Sequence, residues 1–413
     1  MKPLEIAIAG AGPAGLAAAL FLHRAGHRVT LFERFEAARP LGSGLILQPT
    51  GLAVLDPLGL RDAISARGSR IERLHGADAA SGRTVLDVRY TGGQHGLAVH
   101  RAALFGVLHE AVQAAGIAME TAREIAALDA GERAWLVTDA GGRLGPFDLV
   151  VDATGARSRL KAQVGVPAEP RPLAYGAFWT SLAWRDRFDP HALTQRYRRA
   201  SVMIGVLPIG SIAPGMARQA AFFWSLRPDA ADALRARGID AWKETVAGLW
   251  PEAAELLDQI AGFDDLTLAR YGHHTLLYPA GRRLAVIGDA AHSTSPQLGQ
   301  GANMALLDAA ALAAALAHTT DLDAALDAYC RARRWHVRLF QMLSLTLTPF
   351  YQSDAVALPF LRDTLVATLA RIPPVPRLLS AMVSGTLVTP IRHMKTERGD
   401  APFTLPDRAP AER

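Results

Sequence analysis

The sequence predicts an α/β fold. Three observations predict it: a strand, glycine-rich turn and helix at the N-terminus, a second such unit from Leu284 onward, and aromatic-rich segments of strand length between them. At 413 residues the chain is long enough for one large domain or for two sharing a core. Half of it is hydrophobic and one fifth charged, an ordinary balance for a globular protein. The formal charge of +5 is small for this length and the arginines are scattered among acids, which argues against a nucleic-acid partner. A mild positive field suits an anionic small ligand equally well. Cys330 is the only cysteine, which excludes an intrachain disulfide and any multi-cysteine metal site, and points to a reducing, cytoplasmic setting. No metal site is expected.

The first unit begins with the apolar strand "EIAIAG" and continues into "LAAALFLHRAG", helical in composition and closed by Gly26. Glu5 and the glycine spacing distinguish it from a secretory signal, and no uninterrupted apolar run reaches the length of a membrane span. Between strand and helix stand Gly10, Gly12, Ala14 and Gly15, with the glycines in the pattern GxGxxG. The glycines serve three mechanical purposes, namely a tight turn, close backbone approach to a pyrophosphate, and close packing of helix on strand. The helix N-terminus offers N–H groups and partial positive charge to phosphates. A second strand, "RVTLFE", ends at Glu33, beside Arg34, where a ribose-binding carboxylate belongs.

The second unit, "LAVIGDAAHSTSPQLGQGANMALLDAAALAAAL", again reads as strand, polar turn and long helix. Asp289 directly follows the strand and can accept bonds from sugar hydroxyls. Pro296, Gly299 and Gly301 shape a turn whose backbone can approach a planar ring, because glycine has no side chain in the way. Ala302 and Asn303 open a helix whose positive end would face negative charge on that ring.

With these residues in view the sequence resembles the FAD-dependent aromatic hydroxylases, the class A flavoprotein monooxygenases of the p-hydroxybenzoate hydroxylase fold. Gly10 to Gly15 matches that family's FAD fingerprint, and "GDAAHSTSPQLGQGAN" its second FAD motif. Arg101, in "VHRAAL", matches an arginine near the FAD pyrophosphate and ribitol. "GSGLILQPTGLAVLDPLGL", containing Gly44, is similar to the segment running beside the isoalloxazine. The stretch "DATGARS" matches the middle motif associated with FAD and NAD(P)H, except that Thr154 precedes Gly155 where the family has an aspartate. A threonine hydroxyl carries no charge and accepts more weakly than a carboxylate.

The resemblance implies a Rossmann-like FAD-binding (GR2) domain made of residues 1–70, 100–170 and 280–338. It implies an inserted antiparallel-sheet substrate domain of 71–99 and 171–279, with 339–413 as C-terminal helices and a solvated tail. The segments "PLAYGAFWTSLAW", "SVMIGVLPIG", "RQAAFFWSLR" and "DLTLARYGHHTLLYP" fit strands of that sheet, and the stretch 229–260 is helical by composition and periodicity. It implies oxygen insertion from O2 into an apolar, aromatic or heteroaromatic substrate through a flavin C4a-hydroperoxide, with NADPH or NADH as transient donor. Deprotonation of the substrate, which the family often assists, calls for a His or Tyr; His273, His274 and Tyr278 are the candidates, of which a regular strand lets at most one of the two histidines face a ligand. His292 reads as support for its turn.

Three alternatives share the scaffold. A flavin halogenase needs an early lysine and a tryptophan-rich motif, and the lysines here are Lys2, Lys161, Lys243 and Lys395. A reductase of the geranylgeranyl-reductase type fits the apolar C-terminal region, and Thr154 leaves room for a monooxygenase fed by reduced flavin from a partner reductase. The same C-terminal segments would close the pocket, form a homodimer face, or make a weak membrane contact.

Overall fold

The computed structural model describes residues 1–38, 42–164, 170–366, 372–391, 394–396 and 399–401. The C-terminal tail expected beyond them lies outside the described residues.

Five parallel strands, Ala118–Glu120, Arg28–Phe32, Glu5–Ala9, Leu149–Asp152 and Leu284–Val286, lie side by side in that order, with Ala280–Gly281 antiparallel at the edge. Both faces of the sheet are covered, which is why its central strands read as continuous apolar runs. Alternation sorts the first strand's residues. Ile6 and Ile8 pack among helices Pro13–Arg24, Arg101–Ala114 and Gly301–His318, while Ala7 and Ala9 meet the meander Ile125–Ala130, Ala134–Thr138 and Arg143–Phe147. Among the described residues only Gly301–His318 is long and apolar enough to cross a membrane, and it is mostly buried inside the body.

A second, seven-stranded sheet runs in the order Thr267–Ala269, Gly176–Ala183, Gln219–Leu226, Val202–Gly210, Ala192–Arg198, Arg73–Asp78 and Thr84–Arg89. It is antiparallel except between Ala192–Arg198 and Arg73–Asp78. One face carries Phe178, Phe222 and Trp224 into a cluster with Trp242 and Trp250. Phe223 and Met203 leave on the other face, toward the first sheet. A small sheet of Gly44–Leu47, Gly96–His100 and Ser69–Ile71 joins the two bodies.

Two segments differ from expectation. Only Thr267–Ala269 and Gly272–His273 of the stretch 265–279 pair as strands, because the His274 and Leu276 amides turn away to the Ser293 and Ala291 carbonyls at 3.1 and 2.8 Å. The helical stretch divides into Ala231–Ala236, Ile239–Leu249 and Ala254–Leu257, interrupted at Gly238, with φ of +88°, and at Pro251.

The helix Leu322–Tyr351 starts at Asp321, whose side chain accepts from the Ala324 amide at 2.9 Å. The last described helix, Val375–Ser384, closes on Gly385 at φ of +82°. It is tied back by a bond from Gln300 Nε2 to the Val383 carbonyl at 2.7 Å and from Thr50 Oγ1 to the Ser384 carbonyl at 3.2 Å.

Candidate active site

One cavity of about 1100 Å³ runs between the two sheets. Its first part is the nucleotide cradle expected from the sequence: Gly10, Gly12, Ala14, Glu33, Arg34, Gly44, Arg101, Thr154, Gly155, Asp289, Pro296, Gly299, Gly301 and Ala302 all line it. The structure thereby brings together residues from four separated stretches.

The glycines divide by what a side chain would strike. At Gly10, with φ of +100°, a Cβ would stand 2.5 Å from the Ala153 carbonyl oxygen. At Gly15 it would overlap the Gly10 carbonyl. At Gly12 it would meet no protein atom within 4 Å and would project into the cavity instead. The first two are therefore demanded by the fold, whereas the third leaves its space open to the cavity. Helix Pro13–Arg24 begins with no side chain capping it, so its first amides are open to an anion. Glu33, only 8 % exposed, accepts from the Ala11 amide at 2.9 Å and the Phe35 amide at 3.1 Å, and it lines the cavity with acceptor capacity to spare. This donor and acceptor set fits FAD: amides and Arg34 or Arg101 for the pyrophosphate, Glu33 for a ribose, Asp289 for the ribitol.

Two predicted cofactor residues stand behind the cradle. Gly15 packs helix on strand. Asn303, fully buried, accepts from the Gln48 amide at 2.8 Å and donates to the Ile46 and Gly299 carbonyls at 3.1 and 2.8 Å. Its side chain joins the flavin turn to the strand Gly44–Leu47 and does not line the cavity.

Behind the second fingerprint, Asp308 accepts from His292 Nε2 at 2.6 Å, Arg333 Nε at 2.7 Å and the Gly288 amide at 2.9 Å. Burial alone would raise its carboxyl, but the charges and bonds of His292 and Arg333 outweigh that and hold it at about 2. His292 thus supports its turn, as its place in the motif suggested.

The turn at Thr154 is built on Asp152. Its Oδ1 accepts from the Thr154 amide at 3.0 Å and the Thr154 hydroxyl at 2.6 Å, and its Oδ2 accepts from Ser158. Burial pushes this carboxyl upward, opposed by the Ser158 and Thr154 bonds and the charge of Lys161. A carboxylate is therefore present at this turn, two residues before the family's position.

The three candidate bases are corrected. His274 is buried outside the cavity, bonded to Ser293 Oγ at 2.6 Å and the Ala290 carbonyl at 3.0 Å. His273 sits in the two-residue pairing opposite Arg171. Tyr278 is 40 % exposed and donates to Asp327 on the outer surface. None of them lines the cavity, because the chain crosses away from the sheet after His273.

Sequence reasoning missed the polar groups that do line the far part. Trp179 Nε1 donates to Tyr271 Oη at 2.7 Å, leaving the phenol proton free to donate into the cavity. Burial pushes that phenol up to about 12, so it stays protonated. Ser181 Oγ lies 3.1 Å from His100 Nε2 and 2.7 Å from Ser43 Oγ. His100 Nδ1 accepts from the Ala102 amide at 3.0 Å, which fixes the proton of the neutral ring on Nε2. Burial lowers the His100 pKa and favours that neutral form. Period-two alternation placing Trp179 and Ser181 on one strand face is the signal that could have found these residues.

A family model described as an FAD binding domain matches residues 3–343. The chain is 29% identical over 357 residues to a putative 2-heptyl-3-hydroxy-4(1H)-quinolone synthase of Rhodococcus erythropolis, covering 82% of this chain and 86% of that protein. It is 30% identical over 365 residues to 3-amino-4-hydroxybenzoate 2-monooxygenase of Streptomyces cremeus, covering 84% of each. A variant of Klebsiella pneumoniae HpxO solved with FAD has the same fold, with a TM-score of 0.77 at 20% identity over 93% of this chain and all of that one. These likenesses support oxygenation over the prenyl-reductase alternative. With its cradle, its second fingerprint and its relatives in agreement, the chain belongs to the class A FAD-dependent monooxygenases, the flavoprotein aromatic hydroxylase family.

Proposed function

We propose that this enzyme inserts one atom of O2 into an apolar aromatic or heteroaromatic ring, with NADPH or NADH supplying the electrons, in the cytoplasm. The observation that carries the reading is the continuity of the cavity: the FAD cradle opens directly into a compartment walled by Trp179, Leu207, Phe223 and Tyr271. Bound FAD, once reduced, supplies the activation of dioxygen. The chain's own residues do the rest. The aromatic wall excludes water, and Tyr271 Oη offers a proton to an oxygen on the bound ring. Ser181 Oγ, which accepts from His100 Nε2 and lies 2.7 Å from Ser43 Oγ, offers a hydroxyl that can orient a polar group of the bound ring.

The test is anaerobic reduction of the bound flavin by NADPH and by NADH with and without phenols, indoles and quinolones, followed by turnover under isotope-labelled O2. Ligand-stimulated bleaching and a product carrying one labelled oxygen atom are expected. Reduction followed only by hydrogen peroxide release with every ring would sink the reading.

A further inference from the structure

The wall drawn from the seven-stranded sheet and its flanking loops and from the two C-terminal helices carries, among the described residues, no cationic side chain. Its only charged groups are the carboxylates Asp87 and Asp265. Asp87 is held by Arg73 in a two-point pair at 2.6 and 2.8 Å, and Asp265 accepts from the Ala261 and Gly262 amides at 2.7 and 3.2 Å. Two of the neutral polar groups occupy each other, Tyr197 donating to Gln195 Oε1 at 3.0 Å while Gln195 Nε2 faces Met203 Sδ at 3.3 Å, and Tyr271 keeps its hydroxyl for a neutral polar group of the ring. Arg362 lies behind Tyr197 and Tyr351 and is paired with Asp363, and Arg101 belongs to the cradle, so a carboxylated ring set against this wall would lose its hydration without a direct countercharge.

Leu343, Leu347 and Tyr351 recur every four residues along one face of the long helix, an apolar lane of about 12 Å at the helical rise. Leu379, Met382 and Val383 line the same cavity from the last helix, which Gln300 and Thr50 anchor. The family match ends at residue 343, so nearly all of this lane is built by chain that lies beyond it.

We infer that the substrate is an uncharged aromatic or heteroaromatic ring bearing an unbranched apolar chain, the ring beside Trp179 and Tyr271 and the chain along the lane. This rests on the oxygenase reading and narrows it.

The experiment titrates the FAD-loaded enzyme anaerobically with two ring series, 4-alkylphenols and 2-alkyl-4-quinolones with methyl, butyl and heptyl chains. Their carboxylated counterparts, 4-hydroxybenzoate and 4-quinolone-2-carboxylate, are run beside them, following the flavin absorbance and then product formation. In the accepted series Kd falls about fourfold for each methylene added, the effect of burying one such group. The carboxylated ring binds roughly a hundredfold more weakly than the butyl compound. In Met382→Trp, whose flavin content reports an intact fold, the heptyl compound binds no tighter than the butyl one. Carboxylated rings that bind as tightly as alkylated ones, or a Kd indifferent to chain length while hydroxylated product still forms, overturn the inference and leave the oxygenase reading standing. Rings that neither perturb the flavin nor yield oxygenated product overturn both.

Discussion

Thr154 gives Asp152 two hydrogen bonds to a single oxygen, from its amide at 3.0 Å and its hydroxyl at 2.6 Å. The carboxylate that shapes this turn is buried and answered by hydroxyls, amide and Lys161. Restoring the family's aspartate at position 154 would therefore set a second carboxylate against the first. Thr154→Asp is expected to lose more FAD and more stability than Thr154→Val, which removes one hydrogen bond worth about 1 kcal/mol. The double change Asp152→Ala with Thr154→Asp recovers part of the loss. Flavin content and urea midpoints decide it, and a Thr154→Asp protein as stable as the parent would refute this view of the turn.

Gly12 and Gly15 separate ligand binding from folding. Gly12→Ala meets no protein atom, so the flavin-free protein should keep its urea midpoint while its FAD affinity falls by roughly tenfold or more, a loss of about 1.4 kcal/mol. Gly15→Ala drives a methyl into the Gly10 carbonyl and should destabilise the protein with or without flavin, by roughly 1 to 3 kcal/mol. Equal effects of the two changes on the flavin-free protein would contradict the division.

Tyr271→Phe leaves Trp179 Nε1 without its acceptor and removes the hydroxyl that lines the cavity. Product formation at saturating substrate should fall roughly ten- to hundredfold, the range of a lost hydrogen bond to a reacting group. Because burial holds the phenol at about 12, this contribution stays constant across the neutral range. A pH profile that changes shape between parent and variant below about pH 9 would show that another group supplies the proton.

His336 accounts for an acid sensitivity. Its Nε2 lies 3.0 Å from the Gly385 carbonyl and its Nδ1 3.5 Å from the Arg333 guanidinium, so the ring is held neutral. Burial, then the Arg333 charge, pushes its pKa down to about 3 from an ordinary 6.5. Between those values the unfolded chain binds a proton that the folded chain refuses. This term leaves stability unaffected above about pH 6.5 and lowers it as pH falls, by at most about 1.4 kcal/mol per unit. Urea midpoints between about pH 7.5 and about pH 4.5 should slope less steeply in His336→Gln, which keeps a donor for Gly385. Parallel slopes would remove His336 from the account.

What the sequence revealed and what it hid follow from the range of the interactions. Gly10, Gly12, Gly15 and Glu33 do their work within one strand–turn–helix–strand unit, so spacing alone exposes them. Asp289 and the turn from Pro296 to Gly301 are equally local. Tyr271 meets Trp179 across 92 positions, and Ser181 meets Ser43 across 138, separations at which only pairing order, invisible in composition, brings groups together. His273 and His274 mislead because their composition suits a continuous strand, whereas the amides from His274 onward bond to Ser293 and Ala291. Asn303 is legible as part of its turn, yet two of its three bonds to backbone, those at Gln48 and Ile46, reach a segment more than 250 positions away.

The packing of Gly301–His318 on Pro13–Arg24 reaches into how the molecule is made. Leu16, Phe21 and their neighbours leave the ribosome early, but the helix that covers them follows about 300 residues later, after roughly 15 to 60 s of synthesis. Helix Arg101–Ala114 arrives sooner and covers part of that core, but the face meant for Gly301–His318 waits through the whole interval. Shelter of that face during translation is therefore a demand on this chain separate from the stability of the finished protein.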